Sequence, residues 1–401
     1  TSWSFNIPEN ASSYYCIKLE YYNPITGESS ISSIERKLLI DGKPAYNEAS
    51  NITLTKFWEY TNYTVSDPVP APAGAVDGTT VRYDYKNEEG YYHKIVETVK
   101  DGMLTTTTYT ITSDINGNSM APAFEEISQW NTYYVQDSTG YHQNYLNFFF
   151  AYGSHQLTLV AEREPVIIKS IELIPYEPDA SLIKSYEEVK AEYIANGYQS
   201  ASGALENVVL QGEFPSLVSD SSVYPTNDNS SSANFPSTPS AQLYNVIGEN
   251  SYDTMGQWAA YTFTVNESGL YKIGARYLQS QLQGMYICRA LKLTGGHYGE
   301  TPTVPFVEAY DIQFNYSKEW QSEFLSDSNG TVFELYFEKG VEYTLYLECS
   351  LGSLSKLIQR VETSLTSING SYLEMLQLTG SSPDEYRDYD FWGLMQDDVI
   401  N

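Results

Sequence analysis

The segment Trp130–Gly140 has the sequence WNTYYVQDSTG, and the segment Trp320–Gly330 has the sequence WQSEFLSDSNG. Both begin with tryptophan, and both end in an Asp-Ser-x-Gly turn at the same distance from it. The part before the turn has the composition of a β-strand, and aspartate and glycine are common in tight turns. The match indicates that one structural unit occurs twice in the chain.

The surrounding sequence matches in the same order. Four further pairs of segments correspond: Trp3–Ile7 with Gln257–Val265, Tyr14–Tyr22 with Leu270–Tyr277, Arg36–Gly42 with Arg289–Gly295, and Glu48–Ile52 with Glu308–Ile312. Strand–turn–strand units without alternating helices favour antiparallel sandwiches over a parallel α/β sheet. We therefore predict an all-β fold of two tandem antiparallel β-sandwiches with a helical linker and a helical tail.

The predicted organisation has four parts. The first sandwich covers residues 1–178 and carries an inserted β-ribbon at about 65–125, where the first copy has about seventy extra residues. A helical linker at 179–204 contains a helix over Ser181–Asn196. The second sandwich covers 205–352. A helical tail at 353–401, weakened by Gly370, is expected to lead into a further domain.

Composition limits the classes of function. The 401 residues include 51 Asp and Glu against 22 Lys and Arg, giving a net charge of −29. This excess argues against binding nucleic acid or inserting into an anionic membrane. No apolar run approaches the ~18 residues of a membrane helix. The three cysteines are widely spaced; Cys288 and Cys349 could meet across one sheet, but buried free thiols are the preferred interpretation.

Catalysis is the less favoured hypothesis. No nucleophile elbow, phosphate-binding loop or paired-histidine metal motif is present in the sequence. Glycoside hydrolysis needs two carboxyl groups roughly 5–10 Å apart. The pool of 51 carboxylates is too large for the sequence to nominate such a pair. We therefore predict that the chain is not an enzyme.

Carbohydrate binding is better supported, because 37 tyrosines and 6 tryptophans exceed what two modest cores need. Aromatic rings offer flat apolar faces with a polar edge. The tryptophans Trp3, Trp130, Trp258 and Trp320 occupy matched strand positions, which favours core packing. The predicted ligand-binding residues are aromatic residues of loops and of the ribbon: Tyr91, Tyr92, Tyr141, Tyr145 and Tyr298.

No cofactor is required by the sequence, although structural calcium is a second hypothesis. Asp137, Glu213 and Asp327 offer the oxygen ligands that calcium prefers. Asp-x-x-Gly is also ordinary turn chemistry, and that interpretation is favoured for both aspartates. Arg36 and Arg289 each begin a strand, so we expect them to form buried bridges to Glu48 and Glu308; contact with a ligand is the alternative.

Three segments of the second copy form a recognisable set: Gly256-Gln257-Trp258, Val265–Tyr271 (VNESGLY) and Glu338-Lys339-Gly340. With them, the second copy resembles carbohydrate-binding modules with a galactose-binding-like jelly roll. A second set extends over the chain: Glu35-Arg36 with Ile40–Pro44, Arg163-Glu164-Pro165, Tyr316–Trp320 and Thr379–Asp384. With this set, the whole chain resembles the N-terminal region of large extracellular solute-binding proteins of ABC importers from Gram-positive bacteria.

The resemblance implies a lipid-anchored or secreted protein of the bacterial cell surface that recognises or presents an oligo- or polysaccharide. Its membrane partner would be an ABC permease, contacted through a further domain. Two alternatives stay open: a purely structural spacer, and a fragment of a glycoside hydrolase. Asp41-Gly42 becomes Thr294-Gly295 in the second copy, so equal ligand binding by both copies is not expected.

Overall fold

The structure, a computed structural model, describes residues 1–26, 32–86, 91–142, 145–176, 183–202 and 208–394. The chain divides into two compact units, residues 1–352 and residues 353–401. The first unit is predominantly β, as predicted, and the second is helical. No helix within the described ranges has both the length and the apolar character needed to cross a membrane.

The described residues of the first half form fifteen strands. They are β1 (Ser2–Ile7), β2 (Ser13–Tyr22), β3 (Ile34–Ile40), β4 (Asn51–Leu54), β5 (Phe57–Tyr60), β6 (Tyr63–Val65), β7 (Val69–Pro70), β8 (Gly78–Lys86), β9 (Tyr91–Lys100), β10 (Met103–Ile111), β11 (Phe124–Ile127), β12 (Trp130–Tyr134), β13 (Asn147–Phe150), β14 (Gly153–Arg163) and β15 (Ile167–Pro175).

In the part of the second half that the structure describes, one helix comes first and two helices come last. Its elements are α1 (Tyr186–Ala195), β16 (Leu217–Val218), β17 (Pro225–Thr226), β18 (Val246–Ile247), β19 (Trp258–Phe263), β20 (Gly269–Lys272), β21 (Gly274–Tyr277), β22 (Tyr286–Thr294), β23 (Ile312–Asn315), β24 (Gln321–Phe324), β25 (Glu334–Phe337), β26 (Tyr343–Ser350), α2 (Leu354–Thr379) and α3 (Phe391–Leu394).

The predicted internal repeat is present in the topology. One sheet of the first half has the strand order β1-β14-β3-β4, and the second half contains β19-β26-β22-β23. Facing these sheets, β2 pairs with β12 and β13, whereas β21 pairs with β24 and β20 with β25. Alternating apolar residues from the two layers of each half pack into separate cores. Each half is therefore an antiparallel β-sandwich, as predicted.

The register confirms the alignment of the copies. Arg36 lies opposite Ile52, and Arg289 lies opposite Ile312. The predicted bridges to Glu48 and Glu308 are wrong, because each guanidinium donates to backbone carbonyls instead. Arg36 donates to the carbonyls of residues 35, 163 and 164, and Arg289 to those of residues 252 and 288. Both arginines thus hold loops against the sheet.

The two halves share one sheet. β5 and β11, which flank the inserted ribbon, extend the second sandwich into seven strands in the order β11-β5-β16-β19-β26-β22-β23. Phe57 of β5 packs against Trp258 of β19 with ring centroids 5.3 Å apart. The ribbon itself contains β6 to β10, as a five-stranded sheet. Residues 87–90, between β8 and β9, lie outside the described residues.

A buried ionic network lies where the first sandwich meets the shared sheet. Lys56 Nζ lies 3.2 Å from Glu126 Oε2 and 3.5 Å from Glu164 Oε2. The side chains of Lys56 and Glu126 are only 6% and 3% exposed. Asn23 donates to Glu126 Oε1 at 3.4 Å and to the carbonyl of Ile127 at 2.7 Å. The network therefore connects Asn23, in the loop after β2, with Lys56, directly before β5, and with Glu126 of β11.

Both predicted helical regions are helical. A capping box at Ser185 and Glu188 begins α1, and Tyr186, Val189 and Tyr193 pack into the second core. The tail helix α2 continues through Gly370 without a break. Residues 177–182 and 203–207 of the predicted linker lie outside the described residues.

The three cysteines are buried free thiols, as preferred from the sequence. Cys288 lies opposite Ser350, and Cys349 lies opposite Arg289. Because neighbouring residues of a strand point to opposite faces, Cys288 and Cys349 lie on different faces of the sheet. A disulfide between them would require the strands to rearrange.

Candidate binding cleft

A cleft of about 670 Å³ lies between the two sandwiches of the first unit. Residues from both copies line it, and a volume in this range suits a small-molecule ligand. The first half contributes Glu20, Trp130, Tyr134, Asp137, Gly140, His142 and Tyr145, among others. The second half contributes Asp220, Ser222, Met255, Gln257, Lys292, Tyr310, Tyr346 and Glu348, among others.

Trp130 is the most exposed aromatic residue of the cleft, with 51% of its surface accessible. Its ring centroid lies 5.3 Å from that of Tyr22, its partner across strands β12 and β2. The Lys169 ammonium lies 5.7 Å from the centre of the Trp130 ring. The expectation of core packing is therefore wrong for Trp130, although it holds for Trp258, which is 6% exposed.

A stacked tyrosine pair lies deeper in the cleft. The rings of Tyr134 and Tyr145 are 4.4 Å apart and 15° from parallel. Burial, together with the neighbouring Tyr134, raises the pKa of Tyr145 to about 12. Burial and the proximity of Tyr145 and Glu348 raise the pKa of Tyr310 from the opposite half. Both phenols keep their protons at neutral pH and can donate hydrogen bonds.

The loop after β12 is held by Asp137. Asp137 Oδ1 accepts hydrogen bonds from the Thr139 amide at 2.8 Å and from the Thr139 hydroxyl at 2.7 Å. Its Oδ2 accepts from the His142 amide at 3.0 Å. At the tip, a Cβ on Gly140 would lie 2.2 Å from Met255 Cε of the second half. The two halves therefore meet at this loop, which closes one part of the cleft.

The second half contributes fixed polar groups. Lys292 Nζ of β22 lies 2.5 Å from Glu348 Oε2 of β26. Gln257 donates to the Ser222 hydroxyl at 2.9 Å, and the Ser222 amide donates to Asp220 Oδ1 at 2.9 Å. Such contacts orient each polar side chain before a ligand arrives, which lowers the entropic cost of binding.

The five tyrosines predicted to bind ligand lie in different places. Tyr145 lines the cleft, and Tyr141 lies in the loop that follows Asp137. Tyr91 and Tyr92 begin β9, but their side chains lie outside the described part of the structure. Tyr298 packs against the second core, where its hydroxyl donates to the carbonyl of Tyr336 at 3.2 Å.

The predicted calcium ligands also lie apart. Asp137 and Asp327 occupy matched turns of the two copies, and each carboxylate accepts backbone hydrogen bonds, to Asp327 from Asn329 and Thr331. Glu213 is fully buried. Burial lowers the pKa of Lys94 to about 8, and the nearby Glu213 carboxylate opposes part of that shift. In the described ranges, no three His, Cys, Asp or Glu side chains form a metal-binding group.

Sequence reasoning missed several cleft residues. The repeat predicts core packing for Trp130, because Trp320 occupies the matched strand position in the second copy. Tyr310 belongs to the matched Glu-Ala segment, where the first copy has Ser50 instead of an aromatic residue. An aromatic residue that is present in one copy and absent from the matched position of the other could therefore have indicated this cleft residue from the sequence.

Comparison with known proteins gives no family assignment. No protein-family model matches the chain, and neither does any curated protein.

Proposed function

We propose that the chain is a non-catalytic carbohydrate-recognition region of an extracellular solute-binding protein, and that the inter-sandwich cleft is its binding site. In this proposal the protein is anchored by a lipid to a bacterial cell surface. It contacts an ABC permease in the membrane through a further domain. The observation that supports it best is the half-exposed ring of Trp130 beside the Tyr134–Tyr145 stack in one cleft.

The cleft has the two kinds of group that a sugar needs. A sugar ring has an apolar face of C–H groups, which packs against an aromatic ring, and hydroxyls that need directed partners. The exposed Trp130 ring can serve as the platform, since tryptophan combines a large apolar face with a polar edge. Gln257, the phenol of Tyr145 and the Lys292–Glu348 pair supply donors and acceptors around it.

Three carboxylates of the cleft are engaged by neighbouring groups of the protein, which favours binding over hydrolysis. Asp137 holds its own loop, Asp220 holds the turn that contains Ser222, and Glu348 pairs with Lys292. Each of these groups already has a structural task. A glycosidase instead needs an acid and a base or nucleophile directed at one bond. We therefore favour recognition without turnover.

The test is binding by titration calorimetry, preceded by a glycan array to find the saccharide. We expect Trp130→Ala and Tyr145→Ala to weaken binding by roughly tenfold or more, as for aromatic anchors worth about 1.4 kcal/mol each. Matched controls are Trp392→Ala and Tyr152→Ala, because these residues are 79% and 65% exposed and neither lines the cleft. The controls should bind as the unchanged chain does.

A structural spacer is the second candidate, and the shared seven-stranded sheet favours it. A sheet built from strands of both halves makes the first unit suited to holding another domain at a fixed distance. The same titrations separate the two functions. If no saccharide binds at about 1 mM, corresponding to only −4 kcal/mol, recognition is refuted and the spacer remains. Turnover of a glycoside that is lost with one carboxylate substitution would instead establish a hydrolase.

A further inference from the structure

We propose that α2 associates with α2 of a second copy of this chain as a two-stranded coiled coil. The helix is 26 residues long. Seven of its apolar residues recur with alternating spacings of four and three: Leu354, Ile358, Val361, Leu365, Ile368, Tyr372 and Met375. Four further leucines lie beside or outside this series: Leu357, Leu373, Leu376 and Leu378.

The spacing is that expected of a helix that faces another helix. Alternation of three and four residues gives a mean period of 3.5, which keeps a seam facing one other helix along its whole length. Seven consecutive seam positions are apolar in α2, which covers the three or more heptads expected of a coiled coil.

The seam is exposed where the pattern is strongest. Its last five members are between 40% and 62% exposed: Val361, Leu365, Ile368, Tyr372 and Met375. Isolated apolar residues on a surface are ordinary, but a continuous exposed stripe marks an interaction site.

The charges of α2 permit a second copy to approach. The helix carries Lys356 and Arg360 against Glu362 and Glu374, so it is neutral within a chain of net charge −29. The eight positions that flank the seam carry one charge, that of Glu362; the positions are Ser355, Leu357, Glu362, Ser364, Asn369, Ser371, Leu376 and Leu378. Two identical seams therefore meet without a row of like charges.

The available area suits a weak, concentration-dependent pair. Burying a fully exposed aliphatic or aromatic side chain removes about 60–120 Å² of apolar surface from water. Because the seam residues are already about half covered, seven from each of two helices would bury about 400–850 Å², in the range of transient contacts below about 1,200 Å². A second copy supplies that surface in matching register, whereas an unrelated partner would need its own seam.

The test is sedimentation equilibrium of the 401-residue chain at concentrations up to about 100 μM, well above a micromolar Kd. We expect the mass to rise toward twice 45.2 kDa. The seam variant Leu365→Asp/Ile368→Asp should raise the Kd at least tenfold. The matched control Thr363→Asp/Thr366→Asp adds the same charge outside the seam and its flanks, and should leave the Kd unchanged. Raising the salt from about 0.01 M to about 1 M should strengthen the dimer by screening the repulsion between the two acidic chains.

A monomeric mass at every concentration overturns the proposal. A dimer that responds equally to the seam and control variants overturns it as well, because another surface then forms the contact. If the seam variant instead lowers the melting temperature of a monomer, the stripe packs within one chain, and the proposal is wrong. Circular dichroism checks that α2 stays helical in both variants.

Discussion

The substitution Lys56→Met breaks the buried ionic network and should strongly destabilise the first unit. Lys56 and Glu126 are 6% and 3% exposed, and their charged atoms lie 3.2 Å apart. Methionine keeps the length of the lysine stem but leaves the Glu126 carboxylate buried without its cation. Removing one partner of a buried pair costs about 3–5 kcal/mol, because the remaining charge stays desolvated.

The expected shift in melting temperature follows from the size of the unit. An unfolding entropy of about 2.1 cal/mol/K per residue gives about 0.74 kcal/mol/K for residues 1–352. The predicted loss therefore lowers the Tm by about 4–7 °C, measured by differential scanning calorimetry. Lys18→Met is the matched control, since Lys18 pairs with Glu172 at 3.1 Å on the surface, where the side chains are 26% and 47% exposed. That change should cost at most about 1 kcal/mol.

The double variant Lys56→Met/Glu126→Leu separates charge from packing. Replacing both partners by apolar groups of similar volume is often neutral, so the double variant should recover most of the lost stability. The reasoning is refuted if Lys56→Met and Lys18→Met lower the Tm equally. It is also refuted if the double variant is no more stable than Lys56→Met alone.

Three further predictions test the tail, an ion pair and the thiols. Gly370→Ala should raise the helicity of α2 in circular dichroism and stabilise it by about 0.5–1 kcal/mol, since a Cβ there meets nothing within 4 Å; an unchanged spectrum would contradict this. His155 Nδ1 lies 2.8 Å from Asp41 Oδ2, and this hydrogen bond raises the pKa of His155 above its ordinary 6.5. The resulting stability is fully present below pH 6.5 and is lost as the pH rises through the raised pKa, so His155→Gln should reduce the fall in Tm between about pH 6 and about pH 8.5. Burial raises the pKa of Cys349 to about 11, and burial and Asp311 raise that of Cys288, so Ellman's reagent should modify thiols only after denaturation; rapid reaction of the native chain would refute this.

The repeat was predictable because it is a local pattern. Matched segments such as Glu48–Ile52 and Glu308–Ile312 fixed which strands correspond, and Arg36 and Arg289 do occupy equivalent register positions. Strand pairing within a copy follows from alternation and turns, which neighbouring residues encode. The hydrogen-bond partners of the two arginines could not be predicted from the sequence, because they are backbone carbonyls, which every residue type supplies.

The cleft was less predictable because it depends on contacts between the copies. β5 and β11 are four-residue segments, and their sequence pattern is the same whether they pair within the first sandwich or with the second. The sheet that both halves share forms only when they pair with each other and with β16. Exposure of Trp130 and burial of Tyr298 follow from that arrangement and from α1, neither of which strand periodicity specifies.

The shared sheet has a consequence for dividing the chain. Cutting between the two copies leaves the first fragment with β5 and β11 lacking the neighbour that β16 supplies, and leaves the second fragment with an open edge at β16. Exposed strand edges are templates for pairing with another chain. The two fragments are therefore a natural split pair: each alone should aggregate or stay poorly folded, whereas co-expression should let them reassemble across the β5–β16 edge.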